Sequence, residues 1–163
     1  MRVSGRTAPI GKLITVSAPT GWGKTKGSLA VLVELAERGK AGALVLPEIG
    51  LIEEQYQGLI KLVPPEWVAL GSSLHRPKPK PEVVAEQRSR NVFASKHNTS
   101  AELKAARIVL TTHQAWMSEL GKHDKNGWIY SWTHGLRDAV IIDEETEGRR
   151  GLLISPVRCG PVA

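Results

Sequence analysis

One cysteine is all the chain contains, so no intramolecular disulfide can form and no cysteine cluster can hold an iron–sulfur centre or a structural zinc ion. That residue, Cys159, lies among Pro156, Gly160 and Pro161 and reads as a thiol in a terminal segment rather than a nucleophile. No apolar run approaches the roughly 20 residues of a bilayer span, so no transmembrane segment and no membrane partner are expected. The N-terminus has no signal-peptide form, because Ile10 to Ala18 is interrupted by Lys12 and carries no small-residue cleavage site. A soluble, intracellular, cytoplasmic protein is the expectation. His75, His97, His123 and His134 lack a compact metal-ligand spacing, and no internal repeat is visible.

Acidic residues are also in the minority, 16 against 22 Lys and Arg, for a formal charge of +6. The excess is concentrated in the middle of the chain. Arg76, Lys78, Lys80, Arg88, Arg90, Lys96, Lys104 and Arg107 meet only Glu82, Glu86 and Glu102 there. A polyanion such as a nucleic-acid backbone suits such a surface, as does plain solvent. With 163 residues, 41% of them hydrophobic, the chain should fold as one domain with a sizeable core.

The apolar run Leu13-Ile14-Thr15-Val16 reads as a buried strand. Gly21 and Gly23 demand a flexible turn, and a helix opens at Lys24, with Leu29, Leu32, Val33 and Leu35 on one face and Gly39 as its stop. Ala43 to Leu46 is a second strand. Ile49 to Leu62 is expected to be a helix halted by Pro64-Pro65, followed by a strand over Trp67 to Leu70. Arg76-Pro77-Lys78-Pro79-Lys80-Pro81 alternates proline with cations and belongs in an exposed, extended loop, since it suits neither a helix interior nor a central strand. Modest helices are expected within 82–105, a strand over Ala106 to Leu110, a helix over Gln114 to Leu120, and a strong strand over Asp138 to Ile142. Between the last two, Trp128 and Trp132 suit a local hydrophobic cluster or stacking on unpaired bases. Strand, loop, helix, strand is the opening of an α/β domain with a parallel sheet.

Ala18-Pro19-Thr20-Gly21-Trp22-Gly23-Lys24-Thr25 lies between the first strand and its helix. Triphosphate places about four negative charges in a small volume, and a turn with inward backbone N–H groups can wrap them without side-chain bulk. The next helix points its positive end the same way. Lys24 would bridge the outer phosphates and Thr25 would offer a hydroxyl to Mg²⁺. The strict pattern has glycine where this chain has Ala18, which is still small. Far downstream, Val140-Ile141-Ile142 runs into Asp143-Glu144. A carboxylate at a strand tip can reach the metal, and its neighbour can polarise the attacking water.

The loop, as Ala-x-x-Gly-x-Gly-Lys-Thr, and the pair Asp143-Glu144 resemble the first and second motifs of superfamily-two helicases, the DEAD/DEAH-like motors. Here the second motif reads Asp143-Glu144-Glu145-Thr146, the general Asp-Glu form rather than either named box. Leu44-Val45-Leu46-Pro47 with Gln55 is similar to the motif after the second strand, although Glu48 stands where the family commonly has threonine. Val109 to His113 resembles the family's threonine-bearing strand end. The resemblance implies a P-loop NTPase fold, three α/β/α layers around a mostly parallel sheet that this chain could leave incomplete. It implies ATP and Mg²⁺ as cofactors and DNA or RNA as partner. On it, Thr20, Gly21, Trp22, Gly23, Lys24, Thr25 and Lys26 hold the nucleotide, and Thr25 and Asp143 hold the metal. Lys24, Asp143 and Glu144 are catalytic, and Thr111 and Thr112 contact a backbone phosphate. His113 reads as an ordinary helix-start residue.

The expected organisation is an N-terminal tail or edge over 1–11, a helicase-like ATP-binding domain over 12–146, and a C-terminal tail or truncated remainder over 147–163. Such motors pair two RecA-like domains, and the second donates arginines to the reaction. No room for it remains after Glu144, so it would come from a partner subunit or a missing half. Two other readings stay open: a phosphate-loop NTPase or kinase unconnected with nucleic acid, and a catalytically silent remnant that binds nucleic acid or protein.

Overall fold

The computed structural model describes residues 14–17, 23–120, 127–146 and 149–155. In chain order the elements are β1 (Ile14–Ser17), α1 (Lys24–Glu37), β2 (Gly42–Leu46), α2 (Ile49–Leu59), β3 (Val68–Gly71), α3 (Pro81–Ser89), α4 (Ser100–Ala105), β4 (Ile108–Thr112), α5 (His113–Leu120), β5 (Ser131–Trp132), β6 (Gly135–Leu136), β7 (Ala139–Thr146) and β8 (Arg149–Ser155). One sheet runs in the order β1-β8-β7-β2-β4-β3, and β5 and β6 make a small hairpin of their own. The pairs β7–β2, β2–β4 and β4–β3 are parallel. β8 returns antiparallel beside β7 and pairs antiparallel with β1, so β1 regains the common direction.

Each residue of β2 and β4 is buried. A parallel strand covered on both faces has no solvent side, which is why Gly42-Ala43-Leu44-Val45-Leu46 reads as an unbroken apolar run. Alternate residues nonetheless serve different cores. Leu44, Leu46, Leu70, Leu110 and Ile141 meet Leu32 of α1 and Ile52 and Leu59 of α2 on one face. Ala43, Val45, Val109, Val140 and Ile142 meet Leu103 of α4, Trp128 and Ile129 on the other. The result is an α/β fold of three layers around a mostly parallel sheet, as the sequence led us to expect.

Local chemistry sets the boundaries. α1 stops where Gly39 takes φ +71°, so that its N–H and that of Lys40 turn back to the carbonyls of Ala36 and Leu35. α2 ends at Leu59 rather than Leu62. The next N–H groups close tight turns onto Gly58 and Leu59, and Leu62 is left 64% exposed. Pro65 to Trp67 then form a 3₁₀ turn, which delays β3 to Val68 and leaves Trp67 to stack on the Arg107 guanidinium at 4.0 Å. The proline–cation stretch is exposed at Arg76, Lys78 and Lys80, but it bends through residue 78 instead of running extended. Pro81 opens α3, where a missing N–H costs nothing. α4 carries a reciprocal capping box between Thr99 and Glu102. Trp128 is buried in the local apolar cluster that the sequence suggested, and Trp132 packs edge-on against His134. The segment 149–155 is laid down as β8, between β7 and β1.

Candidate functional site

In a parallel sheet the strand tips deliver successive loops to one edge, the usual place for a ligand in this architecture. The loop after β1 enters α1 through Gly23, whose backbone sits at φ 70°, ψ 30°. A Cβ added at Gly23 would meet nothing within 4 Å, so it is the left-handed backbone, not crowding, that calls for glycine. Gly27 donates to the Gly23 carbonyl at 2.8 Å as the first helical bond. A helix start leaves its first N–H groups without acceptors inside the helix, and such an end suits an anion. Lys24 and Thr25 are half-buried in the first turn, while Lys26 is exposed. Thr20, Gly21 and Trp22 lie outside the described residues.

The Thr25 hydroxyl donates to Asp143 Oδ2 at 3.2 Å, bringing together residues 118 positions apart. Asp143 sits half-buried on β7. Its backbone carbonyl accepts from His113 Nε2 at 2.7 Å. A carbonyl can only accept, so Nε2 carries the hydrogen. His113 is the first residue of α5, as a helix-start histidine would be, and also a link from α5 to Asp143 inside β7, a strand that runs on to Thr146 beside β8 instead of ending at Ile142. Glu144 pairs with Gly151 through the strand ladder, and the structure describes no more of it than that backbone.

Among the described residues no three His, Cys, Asp or Glu side chains gather as a metal cage. A hydroxyl beside one carboxylate is nevertheless a suitable protein share for Mg²⁺, which keeps several waters and binds phosphate oxygens in preference to an all-protein cage. The 3.2 Å approach of the two oxygens fits that donor set.

The threonines that end β4 behave differently from one another. Thr111 is fully buried and donates its hydroxyl hydrogen to the Gly71 carbonyl at 2.7 Å. The Thr112 hydroxyl accepts from Ala115 N at 3.2 Å and lies on a surface groove. Glu48, at the tip of β2, is the N-cap residue of α2 but makes no side-chain cap; its carboxylate lines the same groove.

Two polar groups carry little signal in the sequence and yet hold the surroundings. Arg137 is fully buried and donates to the carbonyls of Leu103, Ala106 and Trp128 at 2.6–2.9 Å. Burial lowers its guanidinium to about 10, so it stays charged at neutral pH. His75, also buried, bonds Ser72 Oγ through Nδ1 at 2.6 Å and Glu53 through Nε2 at 2.7 Å. Burial alone would raise the Glu53 carboxyl, but hydrogen bonds from His75 and from the side chain and backbone of Ser95 outweigh it and hold the group below its usual range. An isolated basic or imidazole side chain in a polar stretch gives no hint of burial.

Among the described residues no helix is long and apolar enough to cross a membrane. No curated protein and no solved structure matches the chain. The family model for the DEAD/DEAH box helicase matches residues 6–150. That match takes in the phosphate loop, the strand tips and Asp143-Glu144 together, and the chain belongs to the DEAD/DEAH box helicase family as a helicase-type ATP-binding domain.

Proposed function

We propose that this domain binds ATP with Mg²⁺ and hydrolyses it in a reaction stimulated by nucleic acid, with residues 12–146 as the working unit. The observation that carries the reading is the meeting of Thr25 and Asp143 at the start of α1. Residues Thr20 to Lys26 wrap the phosphates with backbone N–H groups, and Lys24 places its ammonium on the outer two. Thr25 and Asp143 supply protein oxygens to Mg²⁺, which when bound neutralises charge developing on the transferred phosphoryl. Glu144 orients and deprotonates the attacking water. Thr112, whose hydroxyl keeps its own hydrogen, contacts a nucleic-acid phosphate beyond the groove edge.

A second RecA-like domain or a partner subunit supplies the arginine that completes the charge stabilisation. An arginine finger is worth about 10³–10⁵ in rate, so the chain by itself should turn over slowly. The test is a radiolabelled-ATP assay with Mg²⁺, run with and without DNA or RNA. The expected result is slow hydrolysis, increased by polynucleotide and absent in Lys24→Ala. Hydrolysis indifferent to polynucleotide would point to an NTPase outside nucleic-acid metabolism; phosphate transfer to a small acceptor would point to a kinase. No nucleotide binding at all would leave a silent remnant and defeat the proposal.

A further inference from the structure

The bend after β3 forms a ridge between two cavities. On one side is a groove of about 690 Å³, walled by Arg76, Lys78, Lys80 and Arg90 and closed by Glu48 and Thr112. Its charge is unbalanced: Glu86 and Arg90 pair with one another at 3.2 Å, which leaves Arg76, Lys78 and Lys80 against Glu48 alone. On the other side is a cavity of about 560 Å³, lined by Trp128, Leu103, Asn98, Thr99 and Ser118, with Arg76 and Lys78 again on its rim. Such a volume accepts one flat heterocycle with polar edges.

The ridge has a fixed root. His75, immediately before Arg76, is buried and tied on three sides. Its ring spans Ser72 and Glu53, its N–H donates to the Ser72 carbonyl at 3.2 Å, and its own carbonyl accepts from Asn98 N at 2.8 Å. Asn98 in turn accepts from the Leu70 N–H of β3 at 2.8 Å. The prolines at 77, 79 and 81 stiffen the chain beyond that root. The exposed cations are therefore held on a base with little conformational freedom to lose on binding, which is the condition for a clamp rather than a solvated loop.

We propose that Arg76, Lys78 and Lys80 grip successive phosphates of a single-stranded nucleic acid, with an unstacked base entering the cavity behind the ridge. This rests on the nucleic-acid reading above and adds where and in what form the polymer binds. The cavity favours a single strand, because duplex bases are stacked and paired away from it, whereas splayed bases are free to enter polar and aromatic pockets.

The test is the salt dependence of binding of a labelled single-stranded oligonucleotide to the whole chain, followed by anisotropy, with a fluorescent ATP analogue measured in parallel. In the variant Arg76→Ala/Lys78→Ala/Lys80→Ala the slope of log K against log salt should fall by about two, since each single-strand phosphate contact contributes about 0.7. ATP binding should not change. The variant Lys40→Ala/Lys61→Ala/Lys104→Ala loses the same charge from the segments that lead into β2, β3 and β4 and should keep the wild-type slope. An unchanged slope in the first variant, or an equal fall in the second, overturns the clamp while leaving the nucleic-acid reading in place. Duplex bound as tightly as single strand overturns the single-strand assignment. ATP binding by the wild type without any oligonucleotide binding defeats the underlying reading, and the clamp with it.

Discussion

Thr25 Oγ1 lies 3.2 Å from Asp143 Oδ2, so a helix start and a position inside β7, just past the last residue paired with β2, present two oxygens to one point from 118 residues apart. If that point is the Mg²⁺ position, the metal dependence of nucleotide affinity should reside in this pair. Thr25→Ala and Asp143→Asn should each weaken Mg²⁺-dependent ATP binding at least tenfold, a hydrogen bond or ligand bond to a charged group being worth about 1.5–3 kcal/mol. Thr25→Ser keeps the hydroxyl and should retain the affinity. Calorimetric titration with Mg²⁺ and with excess chelator reads the difference, and the variants should differ little from wild type once the metal is removed. Equal losses with and without metal would assign the pair a structural role.

His113 should matter to the position of β7. Its Nε2–H donates to the Asp143 carbonyl at 2.7 Å. Removing it in His113→Ala should cost about 1 kcal/mol of stability, read as a shift in the urea midpoint. His113→Gln, whose side-chain amide keeps an N–H donor, should recover part of the loss. No recovery would mean that the packing of the ring, not the hydrogen bond, carries the effect.

The sequence is legible where local chemistry decides and opaque where distant groups do. β1, α1 and its Gly39 stop, and β2 follow from short-range punctuation and periodicity, and each lies within a residue or two of where the pattern puts it. The partnership of Thr25 with Asp143 is legible only through the family pattern, since nothing near either residue refers to the other. β8 is a different case. Residues 149–155 carry charges and a glycine, and what makes them a strand is the pairing of Ile154 with both Ile14 and Ile141, a long-range event with no local mark. Backbone chemistry alone keeps the proline–cation stretch out of helix and strand. Its bent path depends on the buried ring of His75, which composition does not announce.

Glu53 gives a pH signature. Its carboxyl is lowered from the ordinary value of 4.5 in the folded chain, so the native state favours the ionised form. The stability it contributes is complete above the unfolded value and is lost as pH falls through the lower folded one. Glu53→Gln should therefore destabilise the domain at neutral pH by about 2 kcal/mol, and the gap to wild type should close as the pH drops below 4.5. Urea melts at neutral and acidic pH measure it, and a gap that persists in acid would show that shape rather than charge is what Glu53 provides.

Arg137 is a structural cation. Its guanidinium joins α4, the turn before β4 and the segment after residue 127 through three carbonyls. Arg137→Met fills part of the volume but leaves all three without a partner, each at about 1–3 kcal/mol. A loss above about 3 kcal/mol is expected, a large part of the roughly 5–15 kcal/mol that holds a domain together. Arg137→Lys should recover only part of it, since one ammonium cannot reproduce the planar fork. Denaturant midpoints for the two variants decide the point; full recovery by lysine would mean that the charge alone suffices.

Glu48 opposes the nucleic-acid reading locally. Its exposed carboxylate lines the groove whose far wall carries Arg76, Lys78 and Lys80, and a phosphate backbone drawn to that wall must pass it. Glu48→Gln removes the repulsion without changing the length of the side chain, and should tighten single-strand binding several-fold at low salt. The gain should shrink as salt rises, because screening shortens the reach of an exposed charge to about 10 Å at 0.1 M ionic strength and less above it. Glu48→Thr should tighten binding further, since a hydroxyl at that strand tip can donate to a phosphate. Anisotropy titrations across a salt series separate the two substitutions. No gain for either would mean that the strand does not pass the tip of β2, and would move its path toward α5 and Gln114 on the same groove.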